Sequence, residues 1–445
     1  MKKICFILFF FPIIGFGQAP QLNWSSFTTI SSNSDGYGRP RIVLTANNYP
    51  LIIWRKDNSP KVLRASKWNG NSFSAPYDIL QPGIAPSSWD GPEVASYGDT
   101  VYVVFTSLAT TQSSIMLIKS FDGGITFSDT IRVSENNPAY KYRMANISVK
   151  DDGNPVVSYM EYMLNWMDPK QMVNLSYTFG NSFNGATNGS SLSPGEPCDC
   201  CKSSLVCSGN DVFLLYRNND NNIRNSYISK SIDGGLSFIS TTDLDTYDWI
   251  LNSCPATTPR GLIIGDSVAI VKRSGATGSN EVVCSNINST YLNYSYNRNI
   301  DFISNNTIQD YPELAANGDT VVVVWQDNRT GMQNCYMSLS VEGISNLQSS
   351  ISFTDTNLIG QRLDPDVAYM NGQIHLVYLD HTHHKIVYVK AAIDGVNSIY
   401  QKYDIGGSKL IQVVDILGKE SSYRKNTPFF YIYDNGKVEK RITIE

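Results

Sequence analysis

The chain has 445 residues, a net charge of −5 at pH 7 and only 17% charged residues. Its basic residues are scattered, which argues against a nucleic-acid partner because such proteins concentrate Lys and Arg on one surface. The length allows two or three ordinary domains or one large repeat domain. With 26 tyrosines and no long amphipathic segment, the composition favours an exported β-protein.

The N-terminus has the pattern of a secretory signal. Residues 1–3 carry two lysines, and residues 4–16 are almost entirely apolar. This run is shorter than the ~20 residues that a membrane-spanning helix needs, so a transmembrane anchor is the weaker alternative. We predict a signal peptide over residues 1–17, cleaved after Gly17, and a lead-in strand within residues 18–36.

Seven similar segments follow one another at intervals of 52 to 58 residues. Each has a polar start, a short Gly- or Asn-containing turn and a run of β-forming residues, as residues 92–105 and 312–325 show most clearly. A period near 50 residues with several strands per unit is typical of β-propeller blades. We therefore predict an all-β propeller over residues 37–404, with seven blades favoured over six.

One polar or charged residue stands at the start of each blade. The repeat register predicts that these seven side chains surround the mouth of the central channel; they are Arg41, Glu93, Asn146, Ser204, Arg260, Glu313 and Asp366. Two arginines and three acids placed together imply either a network of ion pairs or a binding site for a charged ligand. The sequence leaves both possibilities open.

The turns between second and third strands are expected on the same face. They contain further arginines, which suit carboxylate recognition, and the acids Asp57 and Asp327, which could act as general acids if desolvated. The arginines in these turns are Arg55, Arg217, Arg224 and Arg329. His381, His383 and His384 share another such turn. They could bind a divalent metal, but we favour an ordinary exposed turn and predict no cofactor.

Residues 120–127 and 231–238 match the pattern Ser-x-Asp-x-Gly-x-Thr/Ser-Phe. The Asp carboxylate in such a segment is expected to accept backbone N–H bonds across a tight turn while the glycines take positive φ. We predict that Asp122 and Asp233 are structural and join the third and fourth strands of their blades.

Seven cysteines lie beyond the predicted signal peptide. In an exported chain they are expected to form disulfides, with one left unpaired. Five are disulfide candidates: Cys198, Cys200, Cys201, Cys207 and Cys254. We favour a disulfide to Cys254 that shapes a loop over the channel, since thiolates survive poorly outside the cell. A soft-metal site for copper or zinc at the Cys198–Cys201 cluster is the alternative.

These features together resemble the sialidase superfamily of Asp-box propellers. Residues 214–231 look like the family's arginine-bearing blade, and Arg41-Ile42-Val43 is similar to its opening Arg-Ile-Pro motif. The resemblance implies a carboxylate-binding triad of Arg41, Arg224 and Arg329, with Asp57 as acid/base and Tyr311 as nucleophile. Three features depart from the family pattern: seven repeats instead of six, Phe at the end of each Asp-box, and a cysteine-rich segment where a glutamate is expected.

Residues 405–445 resemble the C-terminal sorting signal of Bacteroidetes type IX secretion cargo. The specific part of this resemblance is a basic pair followed by alternating Ile at the end of the chain. An ordinary final hairpin is the alternative. The resemblance implies the type IX machinery as a partner and the cell surface or the medium as the destination.

We therefore predict a secreted propeller that recognises glycans or glycoconjugates, with exo-glycosidase activity undecided. The catalytic candidates are Asp57, Tyr311 and Glu313, and the substrate-binding candidates are Arg41, Arg55, Arg224, Arg260 and Arg329. A non-catalytic scaffold or protein-binding propeller is the alternative. Arginines held entirely in salt bridges would favour binding over catalysis.

Overall fold

A computed structural model describes residues 20–81, 84–87, 90–108, 113–301, 303, 307–355, 357–394, 410–414, 428–433 and 438–442. The chain divides into two compact units, residues 1–396 and residues 397–445. The described part of the first unit folds into seven antiparallel sheets, which confirms the predicted all-β propeller with seven blades.

Each of the first three blades contains four strands in simple up-and-down order. Blade 1 consists of Gly38–Thr45, Tyr49–Lys56, Val62–Lys67 and Tyr77–Asp78. Blade 2 consists of Glu93–Tyr97, Thr100–Leu108, Ser113–Ser120 and Ile131–Arg132. Blade 3 consists of Tyr140–Val149, Pro155–Met163, Lys170–Leu175 and Ala186–Asn188.

Blade 4 differs because its first strand is interrupted. Glu196–Pro197 and Ser204–Ser208 both pair with Asp211–Asn219, and residues 198–203 loop out between them. The blade is completed by Ser226–Ser231 and Ser240–Asp243. The cysteine-rich segment is therefore placed at the innermost strand, beside the channel.

Blades 5 and 6 return to the four-strand pattern. Blade 5 consists of Arg260–Ile264, Ser267–Ser274, Glu281–Asn288 and Tyr294–Asn299. Blade 6 consists of Gln309–Asn317, Thr320–Asp327, Asn334–Ser340 and Ile351–Ser352. Every residue of Thr320–Asp327 is buried, because a blade in a propeller is covered on both faces by its neighbours.

The last blade joins the two ends of the propeller. Arg362–Met370, Gln373–Asp380 and Lys385–Ile393 supply its inner strands, and the N-terminal strands Leu22–Trp24 and Thr28–Thr29 pair with the last of these. Strand pairing between the first and last segments of the propeller closes the ring with backbone hydrogen bonds. The lead-in region thus supplies the outermost strand of blade 7.

The hydrophobic core is divided among the junctions between blades. Seven apolar clusters of described residues each join two adjacent blades, as where Ile52 and Trp54 of blade 1 pack against Val377 of blade 7. The continuous runs of β-branched residues that marked the repeats in the sequence form these layers.

The described helices are 3-10 turns of three residues: Asn33–Asp35, Ala46–Asn48 and Ile344–Asn346. None of the described helices has the length and apolar character needed to cross a membrane. In the second unit, Leu410–Val414, Pro428–Tyr433 and Val438–Ile442 form a three-stranded antiparallel sheet.

Candidate functional site

The blade starts meet where the repeat register places them. All seven blade-start residues line one central space of about 200 Å³; they are Arg41, Glu93, Asn146, Ser204, Arg260, Glu313 and Asp366. We call this set the charged ring. Because each member comes from a different blade, the ring marks the propeller axis.

Glu93 is the centre of an ion-pair network within the charged ring. Its carboxylate lies 3.2 Å from Arg41, 2.8 Å from Lys202 and 3.1 Å from Arg260. Arg260 also lies 2.8 Å from Glu313, and Arg41 lies 3.7 Å from it. All five side chains are at least 85% buried. Buried charges must be paired to be tolerated, so Arg41 and Arg260 are held by the protein itself.

The two glutamates face the same arginines but differ in proton affinity. Burial alone would raise the pKa of Glu93, yet its three cationic neighbours hold that pKa well below the usual value. Burial raises the pKa of Glu313 to about 7 despite its arginine contacts, and the nearby Asp366 and Glu93 charges add to this. A carboxylate beside a carboxyl that keeps its proton near neutral pH is the pairing that acid–base sites use.

A second space of about 290 Å³ adjoins the charged ring and is lined by residues from all seven blades. We call it the mouth cavity. Besides Arg41, Arg260 and Glu313, its wall contains the residues two positions before the ring in six blades: Arg39, Met144, Lys202, Thr258, Tyr311 and Asp364. The repeat therefore builds two successive tiers around the axis.

The wall of the mouth cavity is made of strained backbone. Arg39, Met144, Tyr311 and Asp364 have φ between 45° and 62°, and each lies at an irregularity in the pairing of its inner strand. Ala256, which also lines the cavity, has φ 50°. Bulges redirect side chains, and prolines that lack an N–H fit beside them. Four blades have thus turned a side chain toward the axis at an energetic cost.

Arg39 and Tyr311 form the part of the wall best suited to a ligand. The Arg39 guanidinium lies 5.9 Å from the centre of the Tyr311 ring. Among the described residues, Arg39 has no hydrogen-bond or ion-pair partner. Burial raises the pKa of Tyr311 to about 12, so its phenol keeps its proton at neutral pH. An unpaired cation above an aromatic face can bind both an anionic group and the apolar face of a ring.

The other predicted binding residues lie outside this wall. Arg55 makes a two-point ion pair with Asp57, with contacts of 2.5 and 2.7 Å. Arg329 pairs with Asp327 and lies 3.1 Å from Asp301. Arg224 contacts the Cys198 sulfur at 3.2 Å and the Leu251 carbonyl. Arg224 and Arg329 do not line the mouth cavity, so the triad implied by the family resemblance is not assembled there.

The two Ser-x-Asp turns are locally satisfied. Asp122 accepts the N–H groups of Ile125 and Thr126, each at 2.9 Å, and hydroxyl bonds from Ser120 and Thr126. Asp233 makes the equivalent contacts in blade 4. Both turns connect the third and fourth strands, and their glycines have positive φ. Each carboxylate is thus hydrogen-bonded within its own turn.

The cysteine-rich loop reaches the edge of the mouth cavity. Cys200 is bonded to Cys254, and Cys200 itself lines the cavity. The loop thus contains a disulfide, as expected, and the structure identifies its partner as Cys254. Sulfur atoms of Cys198, Cys200 and Cys201 lie within 4.8 Å of one another. With Cys200 bonded, only the thiols of Cys198 and Cys201 remain there, which is too few for a closed metal site. The remaining described cysteines form no disulfide: Cys207, Cys284 and Cys335.

The histidine turn has other partners. His383 Nδ1 lies 2.9 Å from the Asp380 carboxylate, and the His384 ring stacks on Tyr37 at 4.9 Å. His375 is buried and contacts the Tyr388 hydroxyl at 2.7 Å. These contacts account for the ring positions without a shared ligand.

Sequence alone would have pointed to the charged ring but not to the mouth cavity. Lys202, Arg39, Asp90 and Asp364 were missed as lining residues. The available signal was the residue two positions before each ring position, which is charged or aromatic in blades 1, 4, 6 and 7.

No protein-family model and no curated protein matches the chain. Among solved structures, an ulvan lyase of polysaccharide lyase family PL25, bound to -[GlcA(1-4)Rha3S]-, has a TM-score of 0.53 at 7% identity, over 81% of this chain and 94% of the lyase. The Hadza microbial sialidase Hz136 has a TM-score of 0.48 at 14% identity, over 81% of this chain and 66% of the sialidase.

A mutant Trypanosoma rangeli sialidase displaying trans-sialidase activity has a TM-score of 0.49 at 12% identity, over 85% of this chain and 60% of that enzyme. The chain thus spans less than two thirds of the length of either sialidase. At these identities a likeness shows only the fold. The chain is a seven-bladed β-propeller, and its function has to be argued from the mouth cavity.

Proposed function

We propose that this protein is an exported propeller that binds a glycan or glycoconjugate in the mouth cavity. The cavity lies on the axis, receives residues from every blade, and at about 290 Å³ is at the small end of ligand pockets. That volume suits one sugar residue of a longer chain, with the remainder outside the mouth.

The observation that carries this proposal is the concentration of backbone strain. Of the 15 described non-glycine residues with left-handed φ, five line this one cavity. Each such residue costs on the order of 1–3 kcal/mol, and strain of this kind accumulates at ligand sites where it orients side chains. We therefore infer that the wall of this cavity is preorganised for a ligand.

The lining favours an acidic saccharide. Arg39 has no anionic partner among the described residues, and Tyr311 offers an aromatic face beside it. A carboxylate or sulfate on the sugar would pair with Arg39 while the ring packs on Tyr311. Asp364 and Asp90 would accept hydrogen bonds from hydroxyl groups of the same residue.

Binding is better supported than hydrolysis. Arg41 and Arg260 are engaged by Glu93 and Glu313, so they are not available to bind a substrate carboxylate. If the protein cleaves its ligand, Glu313 is the proton donor, since its pKa of about 7 lets it hold a proton near neutral pH. Tyr311 would need a base at its oxygen to act as nucleophile.

A glycan array with acidic and neutral saccharides tests the binding proposal. Arg39→Ala should weaken binding of the best ligand by about tenfold or more, the cost of losing one charge-assisted contact. Arg132→Ala is the matched control because Arg132 is exposed on the outer strand of blade 2. Equal affinity of Arg39→Ala and the control would reject the mouth cavity as the site.

Hydrolysis is tested separately with a panel of fluorogenic glycosides that includes sialosides. If turnover occurs, Glu313→Gln should abolish it while binding persists. Turnover that survives this substitution would exclude Glu313 as the acid.

A protein-binding role is the second candidate, favoured by one exposed apolar turn. Met163, Leu164, Trp166 and Met167 are each between 42% and 60% exposed at the tip between two strands of blade 3. A pull-down with the wild-type protein should recover a partner bound there, and the substitution Trp166→Ala should reduce the amount recovered.

Export and surface delivery are part of the same proposal. The predicted signal peptide lies outside the described residues, and the C-terminal unit contributes a small three-stranded sheet. Removal of residues 405–445 should leave the protein inside the outer membrane of a type IX-competent host. Normal surface delivery of the shortened chain would contradict the sorting role.

A further inference from the structure

Four cysteines from two segments converge beside the mouth cavity. Cys198 and Cys201 are fully buried thiols whose sulfur atoms lie 3.3 Å apart. The Cys198 sulfur is also 3.5 Å from Cys200, which forms the disulfide with the exposed Cys254. A buried dithiol therefore stands within reach of an existing disulfide.

We propose that this cluster is a thiol–disulfide relay in which Cys198 attacks the Cys200–Cys254 disulfide and Cys201 resolves the product. The Cys198 thiolate bonds to the Cys200 sulfur, and Cys254 leaves as a thiolate. Cys201, once deprotonated, then attacks the Cys198 sulfur, which forms the Cys198–Cys201 disulfide and releases Cys200. Two electrons pass from one cysteine pair to the other, so no external oxidant or reductant is consumed.

The surroundings of the two thiols determine which one attacks first and which one resolves the product. The hydrogen bond from Cys201 lowers the pKa of Cys198 to about 7, and the Arg224 guanidinium adds to this through its 3.2 Å contact. Burial raises the pKa of Cys201 well above its usual value. Thiolate is the attacking species in exchange, so Cys198 is the first nucleophile and Cys201 remains protonated until the second step.

The loop conformation supports the same assignment. The Cys198 N–H donates to the Arg217 carbonyl at 2.8 Å, and the Cys201 N–H donates to the Cys198 carbonyl at 3.1 Å. These bonds hold the buried pair at the break in the inner strand of blade 4. Cys198 is closed off from solvent, so its accessible reaction partners are Cys200 and Cys201.

The relay would change the wall of the mouth cavity. Cys200 lines it directly, and Ala256, two residues beyond Cys254, lines it with left-handed φ. Breaking the disulfide removes the covalent link between the segment around Cys254 and blade 4. The inference concerns the sulfur chemistry and holds whether or not a glycan is the ligand.

Peptide mapping after alkylation of the native, unreduced protein tests the relay. Trypsin leaves Cys198, Cys200 and Cys201 together in residues 171–202 and places Cys254 in residues 231–260. In iodoacetamide the wild-type protein should gradually lose the disulfide link between these peptides, because Cys254 is alkylated each time the relay frees it. The rate of this loss should increase as the pH rises through 7. Cys198→Ser should slow this trapping by about tenfold or more. Cys284→Ser, which alters a buried thiol in blade 5, should match the wild type.

Cys201→Ser separates the two steps and serves if Cys198→Ser fails to fold. It keeps the nucleophile and lacks the resolving thiol, so Cys254 should still be trapped, with Cys198 and Cys200 joined inside residues 171–202. Three results would overturn the relay. They are trapping of Cys254 at the same rate in Cys198→Ser, a wild-type link that iodoacetamide never opens, and a stoichiometric metal ion that protects all four sulfurs.

Discussion

The Ser-x-Asp turns and the mouth cavity both combine polar side chains with residues at positive φ. They differ in how far along the chain the hydrogen-bonding and ion-pair partners lie and in which residue types have positive φ. The Asp122 carboxylate accepts hydrogen bonds from Ser120, Ile125 and Thr126, all within four residues of it. Glu93, in the charged ring that adjoins the cavity, has its partners 52, 109 and 167 residues away, in other blades. The turns place glycine at positive φ, whereas the cavity wall places Arg39 and Tyr311 there.

This difference separates structural from functional polarity. A carboxylate satisfied by its own turn stabilises that turn and has nothing left for a ligand. Buried charges contributed by distant blades must form ion pairs with one another. Residues beside this network that have no ion-pair partner are the ones available to bind a ligand. Substitutions in the Ser-x-Asp turns should therefore change stability alone, whereas substitutions in the mouth cavity should change ligand affinity.

The largest effect is expected at Glu93. Glu93→Gln leaves three buried cations without their shared partner, which should lower the free energy of unfolding by about 3–5 kcal/mol. Urea unfolding measures this. Glu135→Gln, at an exposed glutamate in the connection that follows the same blade, should stay within about 0.5 kcal/mol of the wild type. Similar stability of the two variants would show that the network does not hold the channel together.

Asp122→Ala should lower the free energy of unfolding by about 2 kcal/mol, the cost of removing a charged acceptor from its turn. Burial would raise the pKa of Asp122, but hydrogen bonds from Ser120 and Thr126 lower it to about 2. Ligand affinity should not change, because Asp122 does not line the mouth cavity. If Asp122→Ala lost ligand affinity while its folding stayed unaltered, the turns would not be purely structural, which would contradict the distinction between the two regions.

Glu313 gives the charged ring a pH dependence of defined sign. Its folded pKa of about 7 exceeds the ordinary 4.5, so the folded state retains a proton that the unfolded chain releases. The free energy of unfolding should therefore fall between pH 4.5 and 7, by about 3 kcal/mol more in the wild type than in Glu313→Gln. Unfolding curves at several pH values check this, and parallel pH profiles would contradict it.

The smallest effect isolates the strain at Arg39. Arg39→Gly and Arg39→Ala lose the same functional group, but only glycine accepts φ 45° without penalty. The glycine variant should be more stable by about 1 kcal/mol, as judged by thermal unfolding. Both should lose ligand binding equally. Greater stability of the alanine variant would mean that the left-handed backbone is not strained.

The periodic part of this molecule could be predicted from sequence. Fixed spacing determines which residues start each blade, so the convergence of Arg41, Glu93 and Arg260 was deducible before their distances were known. A disulfide in the cysteine-rich loop was expected as well, but the sequence left its pairing open, and the Cys200–Cys254 bond is known only from the structure.

The remainder depends on local departures from the repeat. The bulges that turn Arg39 and Tyr311 inward do not follow from the repeat spacing, and the pairing of Arg329 with Asp327 depends on rotamers within one turn. The lead-in strand was expected, but its pairing with Lys385–Ile393 of blade 7 follows only from ring closure.

The most direct test is a crystal structure of the protein with the tightest ligand from the glycan array. We predict a sugar residue inside the mouth cavity, with an acidic group at the Arg39 guanidinium and its ring against Tyr311. A saccharide bound instead at the Ser-x-Asp turns or on the outer strands, with the mouth cavity empty, would contradict the central claim.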